Sequence, residues 1–373
     1  MSNLQRTTVI KNPYIIMFLL RKQIQKRNRK RKISILFLLF FISGGLLAYW
    51  QRDWVKWGVS MAKGGLNVAF NTRPLEEVLK DPAVPDSLKK RIELIGEIKR
   101  FAIDSLGLKD NPKVYQTLFD QKGKPLVYLL TVAEKYELKA HPFYFPLIGT
   151  FTYKGFFNEE MAKHEQLYWE SKGYDTDMGE GIAYSTLGWF PEPILSSMLY
   201  YHDGKLASLI IHEMTHGTIF VKDNHELSEN MANFIGDYGA MRFLNFKFGK
   251  RSHGYKRYEQ GKVVRIKLVK HINRGTLMLD SLYKTFSPEM TDKVKDSLKY
   301  HLIESILVKQ DTLYKKNSKV SKFNFDKNNL PNDAFFVGFK TYNAKQNEFE
   351  ELFKKRFKGD FPKFLNFLKN KYN

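Results

Sequence analysis

Cysteine is absent from all 373 residues. This absence excludes disulfide bonds, thiolate metal ligands and a cysteine nucleophile, so any metal ion must be held by histidines and carboxylates. The patterns of helix-turn-helix, zinc-finger and RNP-like nucleic-acid binders are missing as well. Internal repeats and long Gly/Ser linkers do not occur either, which favours one large domain. Aromatic residues are plentiful, with 30 Phe and 20 Tyr, which argues against a disordered chain.

The net charge of +22 is unevenly distributed, because residues 1–32 contain ten Lys or Arg and no acidic residue. Most other lysines are mixed with acids along the C-terminal stretches, as on solvated helix faces. We therefore expect no nucleic-acid partner. The alternative is a basic surface protein that binds nucleic acid or anionic lipid, with an affinity that falls steeply with salt.

An uncharged run of 18 residues, 33–50, directly follows the basic tail. As a helix it would span roughly 27 Å, close to the hydrocarbon thickness of a bilayer. Trp50, Trp54 and Trp57 lie at or beyond its end, as at a membrane interface. We predict a basic cytoplasmic tail (1–32), a transmembrane signal-anchor helix (33–50) and an extracytoplasmic catalytic domain (51–373), periplasmic in a Gram-negative cell. A cleaved signal peptide and a buried core helix are the alternatives.

The remaining pattern predicts an α+β domain that is predominantly helical. Residues 54–120 are predicted to be mainly helical, and apolar residues recur at helical spacing after Pro85. Segments rich in β-branched and aromatic residues predict strands within 124–138, 143–157 and 181–190. A helix is expected over 158–173, and from Asp203 the chain is predicted to be helical almost to its end.

The stretch HEMTH, residues 212–216, has the pattern of a zinc site. His212 and His216 project from one face of a helix because they are four residues apart. Glu213 can approach a metal-bound water without ligating the ion, which makes it a candidate general base. The flanks are almost uniformly apolar, so this helix would bury three polar side chains at a cost if they had no role.

A hydrolytic zinc ion needs a third protein ligand. The metzincin pattern is excluded because Ile219 and Lys222 occupy the positions of its glycine and its third histidine. A gluzincin-like site needs a glutamate on a following helix, and Glu229 fits this requirement. Asn233, one turn later on the same face, is the candidate hydrogen-bond partner of a ligand.

Two alternatives remain for this stretch. Glu226 and His225 are rival third ligands, although both lie nearer the turn, where polar helix-start residues usually face solvent. The whole segment could also be a surface helical hairpin with incidental histidines.

The chain resembles the predicted aminopeptidases of bacteria, a family of HExxH zinc peptidases. The resemblance is carried by ordered blocks at 73–108, 145–157, 173–199 and 212–240, and it extends from about residue 60 into the block PNDAFFVGFKTY (331–342). It implies a zincin-like metallopeptidase fold, Zn²⁺ held by His212, His216 and Glu229, and a peptide substrate. The family usually has Asn before this glutamate and Ser after it, whereas this chain has Ser228 and Asn230.

The resemblance also suggests how a peptide would bind and react. The block YSTLGWF offers Tyr184 to Gly188 as a strand that pairs with the substrate backbone, with an ordinary core strand as the alternative. Tyr342 is the candidate donor to the developing oxyanion, with His271 and His301 as the others. Zinc would polarise the scissile carbonyl, and Glu213 would move the proton of the attacking water.

Aminopeptidase activity is implied by the family label alone, so an endopeptidase on the same site remains open. A non-catalytic, membrane-anchored scaffold that keeps the zinc helices for structure is the alternative of another class. The pattern does not fix the oligomeric state.

Overall fold

The computed structural model describes residues 17, 21–22, 26, 52–145, 149–181, 192–219, 221, 224–310, 330–343 and 346–372, without the side chains of 225, 340–343 and 346–347. Two compact units are present, Met1–Val59 and Ser60–Asn373. Everything described below from β1 onward belongs to the second unit, which contains the HExxH helix.

Most of the described chain is helical. The helices are α1 (Arg52–Phe70), α2 (Leu75–Lys80), α3 (Asp86–Leu106), α4 (Glu159–Ser171), α5 (Asp203–His216), α6 (His225–Phe248), α7 (His253–Tyr283), α8 (Asp292–Gln310), α9 (Asp333–Asn343), α10 (Gln346–Lys355) and α11 (Phe361–Tyr372). A 3₁₀ helix covers Ser196–Tyr200.

The strands form small sheets. They are β1 (Thr72–Pro74), β2 (Val114–Phe119), β3 (Tyr128–Ala133), β4 (Phe143–Phe145), β5 (Gly149–Phe151), β6 (Lys154–Phe156), β7 (Asp175–Glu180) and β8 (Glu192–Leu195). In the first sheet, of order β1-β2-β8, β2 runs antiparallel to β1 and parallel to β8. The second sheet, β6-β3-β7, and the β4–β5 pair are antiparallel.

The sequence patterns account for several of these elements. Helix α3 follows Pro85 and ends at Gly107, whose φ of 69° is the left-handed conformation that glycine adopts readily. Its predicted apolar face is confirmed, since Ile92, Ile95 and Ile98 are all buried. The strands predicted within 124–138 and 143–157 are also confirmed. In contrast, β2 lies inside the stretch predicted to be mainly helical, because its β-branched and aromatic residues pair with β1 and β8.

The predicted fold class is corrected by the structure. Among the described residues, no helix is both long and apolar enough to cross a membrane. The first described helix, α1, contains Arg52, Asp53, Lys56 and Lys63, charges that are costly in hydrocarbon. The predicted transmembrane segment 33–50 lies outside the described residues, and the extracytoplasmic location stays a prediction. The structure supports a mostly helical α+β class and does not show a zincin fold.

The main core is built around α5. Leu206, Ile210 and Ile211 of this helix are fully buried and belong to one apolar cluster with residues of α3, α6 and α11 and of strands β2 and β8. A second core joins α7, α8 and α9 through Ile272, Ile303 and other residues. More than half of the residues of the HExxH helix are buried, which limits its movement.

A buried ionic group anchors the second core to the second sheet. Lys299 of α8 is 0% exposed and binds the carboxylates of both Asp175 and Asp333. The Asp333 carboxylate accepts a further hydrogen bond from Tyr283 OH at 2.6 Å, and the Asp333 backbone NH donates to Asp175 at 3.0 Å. Because these charges are buried together, each depends on the others for compensation.

We expect Lys299→Met to lower the free energy of unfolding by about 3–5 kcal/mol, because it leaves two buried carboxylates without their cation. Chemical denaturation of both proteins measures this change. Lys293→Met, which removes an exposed lysine of the same helix, should change stability by less than about 0.5 kcal/mol. Equal stability of the two variants would contradict the importance given to the buried group.

Candidate metal centre

Helix α5 places the two histidines of HEMTH side by side. Residues four apart project from the same side of a helix, so the rings of His212 and His216 meet with their centroids 4.8 Å apart. Their Nε2 atoms are 3.1 Å apart. Both side chains are largely shielded, with 14% and 21% of their surfaces exposed. Two imidazole nitrogens are therefore directed at one location.

Helix α6 brings a carboxylate to the same location. The helix begins after Asn224, whose side-chain oxygen accepts a hydrogen bond from the backbone NH of Leu227 at 2.9 Å, a standard N-cap. Glu229 follows one turn into the helix. Its Oε2 lies 3.4 Å from Nε2 of His212, and its Oε1 lies 3.3 Å from Nε2 of His216. One carboxylate thus faces both histidines.

The spacing of these donor atoms fits a single metal ion. Ligand atoms about 2.0–2.2 Å from a tetrahedral ion lie roughly 3.3–3.6 Å from one another, close to the observed 3.1 to 3.4 Å. In the described part of the chain, His212, His216 and Glu229 are the one group of three or more possible ligands whose donor atoms converge, all within 4.8 Å. Two histidines and one carboxylate form a donor set that suits zinc.

Close packing of α5 and α6 makes this convergence possible. A Cβ on Gly236 would lie 2.7 Å from the carbonyl oxygen of Ser208 and 3.3 Å from the Cβ of His212. One turn further along α6, a Cβ on Gly239 would lie 2.7 Å from a methyl group of Ile211. Both glycines therefore face α5 at positions where any larger residue would push the helices apart.

Two further polar side chains of α6 contact the two histidines. Ser228 Oγ lies 3.2 Å from Nδ1 of His216, on the side of the ring opposite Glu229. The side chain of Asn233 hydrogen-bonds with His212. Such contacts fix ring orientation and the choice of ring nitrogen that carries the proton.

The electrostatics of the centre keep Glu229 ionised. Burial acts to raise the pKa of Glu229, but hydrogen bonds from His212 and His216 outweigh it and hold this pKa well below its usual range. For His212, burial acts to lower the pKa, and the bond to Glu229 with the charges of Glu213 and Glu229 leaves it above its ordinary value. Burial is the main reason that the pKa of Glu213 is raised, which makes it a better proton acceptor than an exposed glutamate.

A second polar group braces the helices beside the centre. Asp237, two turns beyond Glu229 on α6, accepts a hydrogen bond from Ser208 Oγ at 3.3 Å and one from Tyr258 OH at 2.6 Å. Arg265 of α7 binds both oxygens of the same carboxylate. Because Ser208 lies one turn before His212, this group ties α5, α6 and α7 together close to the histidines.

The first sheet adds two side chains that the sequence patterns did not reveal. Tyr115 of β2 is buried, and its pKa is raised well above the ordinary value by burial first and then by the charges of Glu213 and Glu192. Glu192, the first residue of β8, is also buried and acts electrostatically on Glu213. Neither residue belongs to a recognisable motif, and only the sheet pairing brings them to the HExxH helix.

A comparison with protein families identifies the family of this chain. The family model described as "Putative aminopeptidase" matches residues 57–371. The chain belongs to this family. The match covers α5, α6 and the first sheet, so the centre lies within the shared part. No curated protein and no solved structure matches the chain.

Membership of the aminopeptidase family confirms the resemblance seen in the sequence, while the zinc subtype stays a prediction. The predicted ligands and Asn233 are brought together, and their roles also stay predictions. Of the rival ligands, Glu226 is not part of the converging group, and the side chain of His225 lies outside the described part. Tyr184 and Gly188 lie outside the described residues.

The oxyanion candidates are placed as follows. Tyr342 belongs to α9, which packs on α6, and its side chain lies outside the described part. Nε2 of His271 is 2.7 Å from the carbonyl oxygen of Ile306, so this imidazole contacts the backbone of α8. His301 faces solvent on α8.

We expect Gly236→Ala to lower stability by about 1–3 kcal/mol, because the added Cβ meets the backbone of α5. It should also weaken metal binding, since the displaced contact adjoins His212. Thermal melts and titration with zinc measure the two effects. Gly261→Ala, in α7 with nothing within 4 Å of the added Cβ, should keep full metal binding and stability. Wild-type metal affinity in Gly236→Ala would contradict the role of this contact.

Proposed function

We propose that this protein is a zinc-dependent peptidase whose ion is held by His212, His216 and Glu229. The observation that carries the proposal is the convergence of three donor atoms, 3.1 to 3.4 Å apart, from two helices braced by a common polar group. Family membership supports peptide hydrolysis as the reaction class. A zinc ion bound there supplies Lewis-acid activation of the scissile carbonyl and of a water molecule at neutral pH.

The residues of the chain have separate tasks in this mechanism. Glu229 and the two histidines would hold the ion, with the Glu229 carboxylate compensating part of its charge, while Ser228 and Asn233 orient the rings of His216 and His212. Glu213 directly follows His212 on the same helix, and both histidines act electrostatically on its carboxylate. It accepts a proton from the attacking water and returns that proton to the leaving amine.

The main core shields the centre from much of the bulk solvent. Only 14% and 21% of the two histidine side chains are exposed, and Met214 and Thr215 beside them are buried. A low-polarity surrounding strengthens the interaction of the carboxylates with the ion and with the proton being moved.

Metal analysis of the purified full-length protein, combined with cleavage of a mixed peptide library, tests the proposal. We expect about one zinc per chain. Glu213→Gln should keep zinc and fold, but lose about 10²- to 10⁴-fold in cleavage rate, because general acid–base catalysis is removed. Glu229→Gln should lose zinc, because an amide is a weaker ligand than a carboxylate.

Glu226→Gln is the matched control, since it removes a carboxylate one turn earlier on the same helix. It should keep both zinc and activity. Retention of zinc by Glu229→Gln with loss in Glu226→Gln would show that the wrong ligand is assigned. A wild-type protein that binds no zinc and cleaves no peptide would disprove the proposed function, and zinc binding without cleavage would favour a scaffold.

A further inference from the structure

Two rows of polar side chains, each with a spacing of four residues, face each other across the contact between α5 and α6. The row on α5 consists of Ser208, His212 and His216, and the row on α6 consists of Glu229, Asn233 and Asp237. Residues four apart lie on one side of a helix, so each row forms a single stripe. Both histidines contact Glu229, Asn233 hydrogen-bonds with His212, and Ser208 Oγ donates to Asp237 at 3.3 Å. The three candidate ligands are therefore part of a longer polar contact that ends at Asp237.

The end of this contact at Asp237 is held by α7. Nη2 of Arg265 donates to both oxygens of the Asp237 carboxylate, and Tyr258 OH donates to its Oδ1 at 2.6 Å. Asp237 is only 8% exposed, so these hydrogen bonds form in surroundings of low polarity, where they are stronger than in water. A carboxylate that accepts several such bonds, one of them from a guanidinium, has few alternative positions.

Tyr258 of α7 also packs directly on α5. A Cβ on Gly204 would lie 2.3 Å from the ring of Tyr258, so the ring lies against the backbone of α5 one turn before Ser208. From the side of α6, a Cβ on Gly236 would lie 3.3 Å from both Ser208 Oγ and the Cβ of His212. The turns of α5 that lead to His212 are therefore enclosed by α6 and α7 together.

The affinity for zinc depends on how well the ligand atoms match the ion. Zinc–nitrogen and zinc–oxygen bonds are about 2.0–2.2 Å long, so a small shift of α5 against α6 lengthens the bonds to one helix or the other. Asp237 and Arg265 carry opposite charges and together add no net charge beside the candidate ligands. Their effect on the centre is therefore one of position, through the separation of the two helices.

We propose that Arg265 of α7 is a positioning residue of the candidate metal centre. It holds Asp237, which in turn holds α5 through Ser208. The two histidines of α5 thereby keep the distance from Glu229 that a zinc ion requires. The inference rests on the proposed zinc peptidase function, and it adds α7 to the two helices that carry the ligands.

Titration of the full-length protein with zinc, in competition with a chelator of known affinity, tests the proposal. Arg265→Met should weaken zinc binding roughly 10-fold, the lower end of the range for loss of an outer partner of a metal site. Charge alone predicts the opposite sign, because removal of a nearby cation favours the binding of Zn²⁺. Arg265→Lys should restore the affinity in part, since it keeps a cation beside Asp237 without the planar guanidinium.

Lys299→Met is the matched control, because it removes the cation of the other buried ionic group, which anchors the second core. It should lower stability and keep the wild-type affinity for zinc. Should Arg265→Met fail to fold, Ser208→Ala removes only the hydroxyl that joins α5 to Asp237. This variant should weaken zinc binding roughly threefold, as expected for the loss of one hydrogen bond.

The outcomes separate the two proposals. A wild type that binds no zinc removes the proposed function and this inference with it. A wild type that binds zinc, with equal or tighter binding in Arg265→Met, overturns only the role of Arg265. An equal loss of zinc affinity in Lys299→Met would mean that zinc binding follows overall stability, which also overturns that role. Wild-type affinity in Ser208→Ala would contradict the contact through which Arg265 is proposed to act.

Discussion

The close contact between α5 and α6 is the constraint on which the candidate metal centre depends. A glutamate on one helix reaches two imidazoles on the other only when the helices are close together where these three residues lie. Gly236 permits this approach, because its missing side chain leaves the backbone of Ser208 and the Cβ of His212 in direct contact with α6. The Ser208–Asp237 contact, with Arg265 behind it, then holds the two helices at that separation.

Two of the buried charged groups in the described residues are enclosed together with compensating charges. Asp237 is matched by Arg265, and Lys299 by Asp175 and Asp333. These groups connect helices to one another or to a sheet, so they hold elements of the fold in place. The His–His–Glu group differs because its donor atoms surround a common point, which is the arrangement that a cation requires.

The first sheet contributes to the centre through an irregularity. A regular β2 would alternate its side chains between two faces, but Tyr115 has a left-handed backbone conformation and the register changes after Val114. The cost of such a conformation, about 1–3 kcal/mol, is met by the packing of the main core around β2 and β8. Tyr115 and Glu192 are both buried and lie within electrostatic reach of Glu213 on the HExxH helix.

The amino-acid sequence by itself determined the parts of this protein that depend on local spacing. The i, i+4 separation of His212 and His216 fixes their common face. The turn before α6 and the spacing of apolar residues in α3 were likewise sufficient to indicate helices. The order of several sequence blocks along the chain indicated the family. The sequence pattern was wrong for β2, because a six-residue strand depends on partners that are distant in the chain.

Only the tertiary structure decided which distant residues meet. Glu229 and Glu226 are both carboxylates early in α6, and the position of α6 against α5 determines that Glu229 faces the histidines. Ser228 contacts His216 for the same reason. Glu192 and Tyr115 reach the site through strand pairing, which no local pattern encodes. Spacing along a helix fixes direction within that helix, whereas contact between elements depends on how all their surfaces pack together.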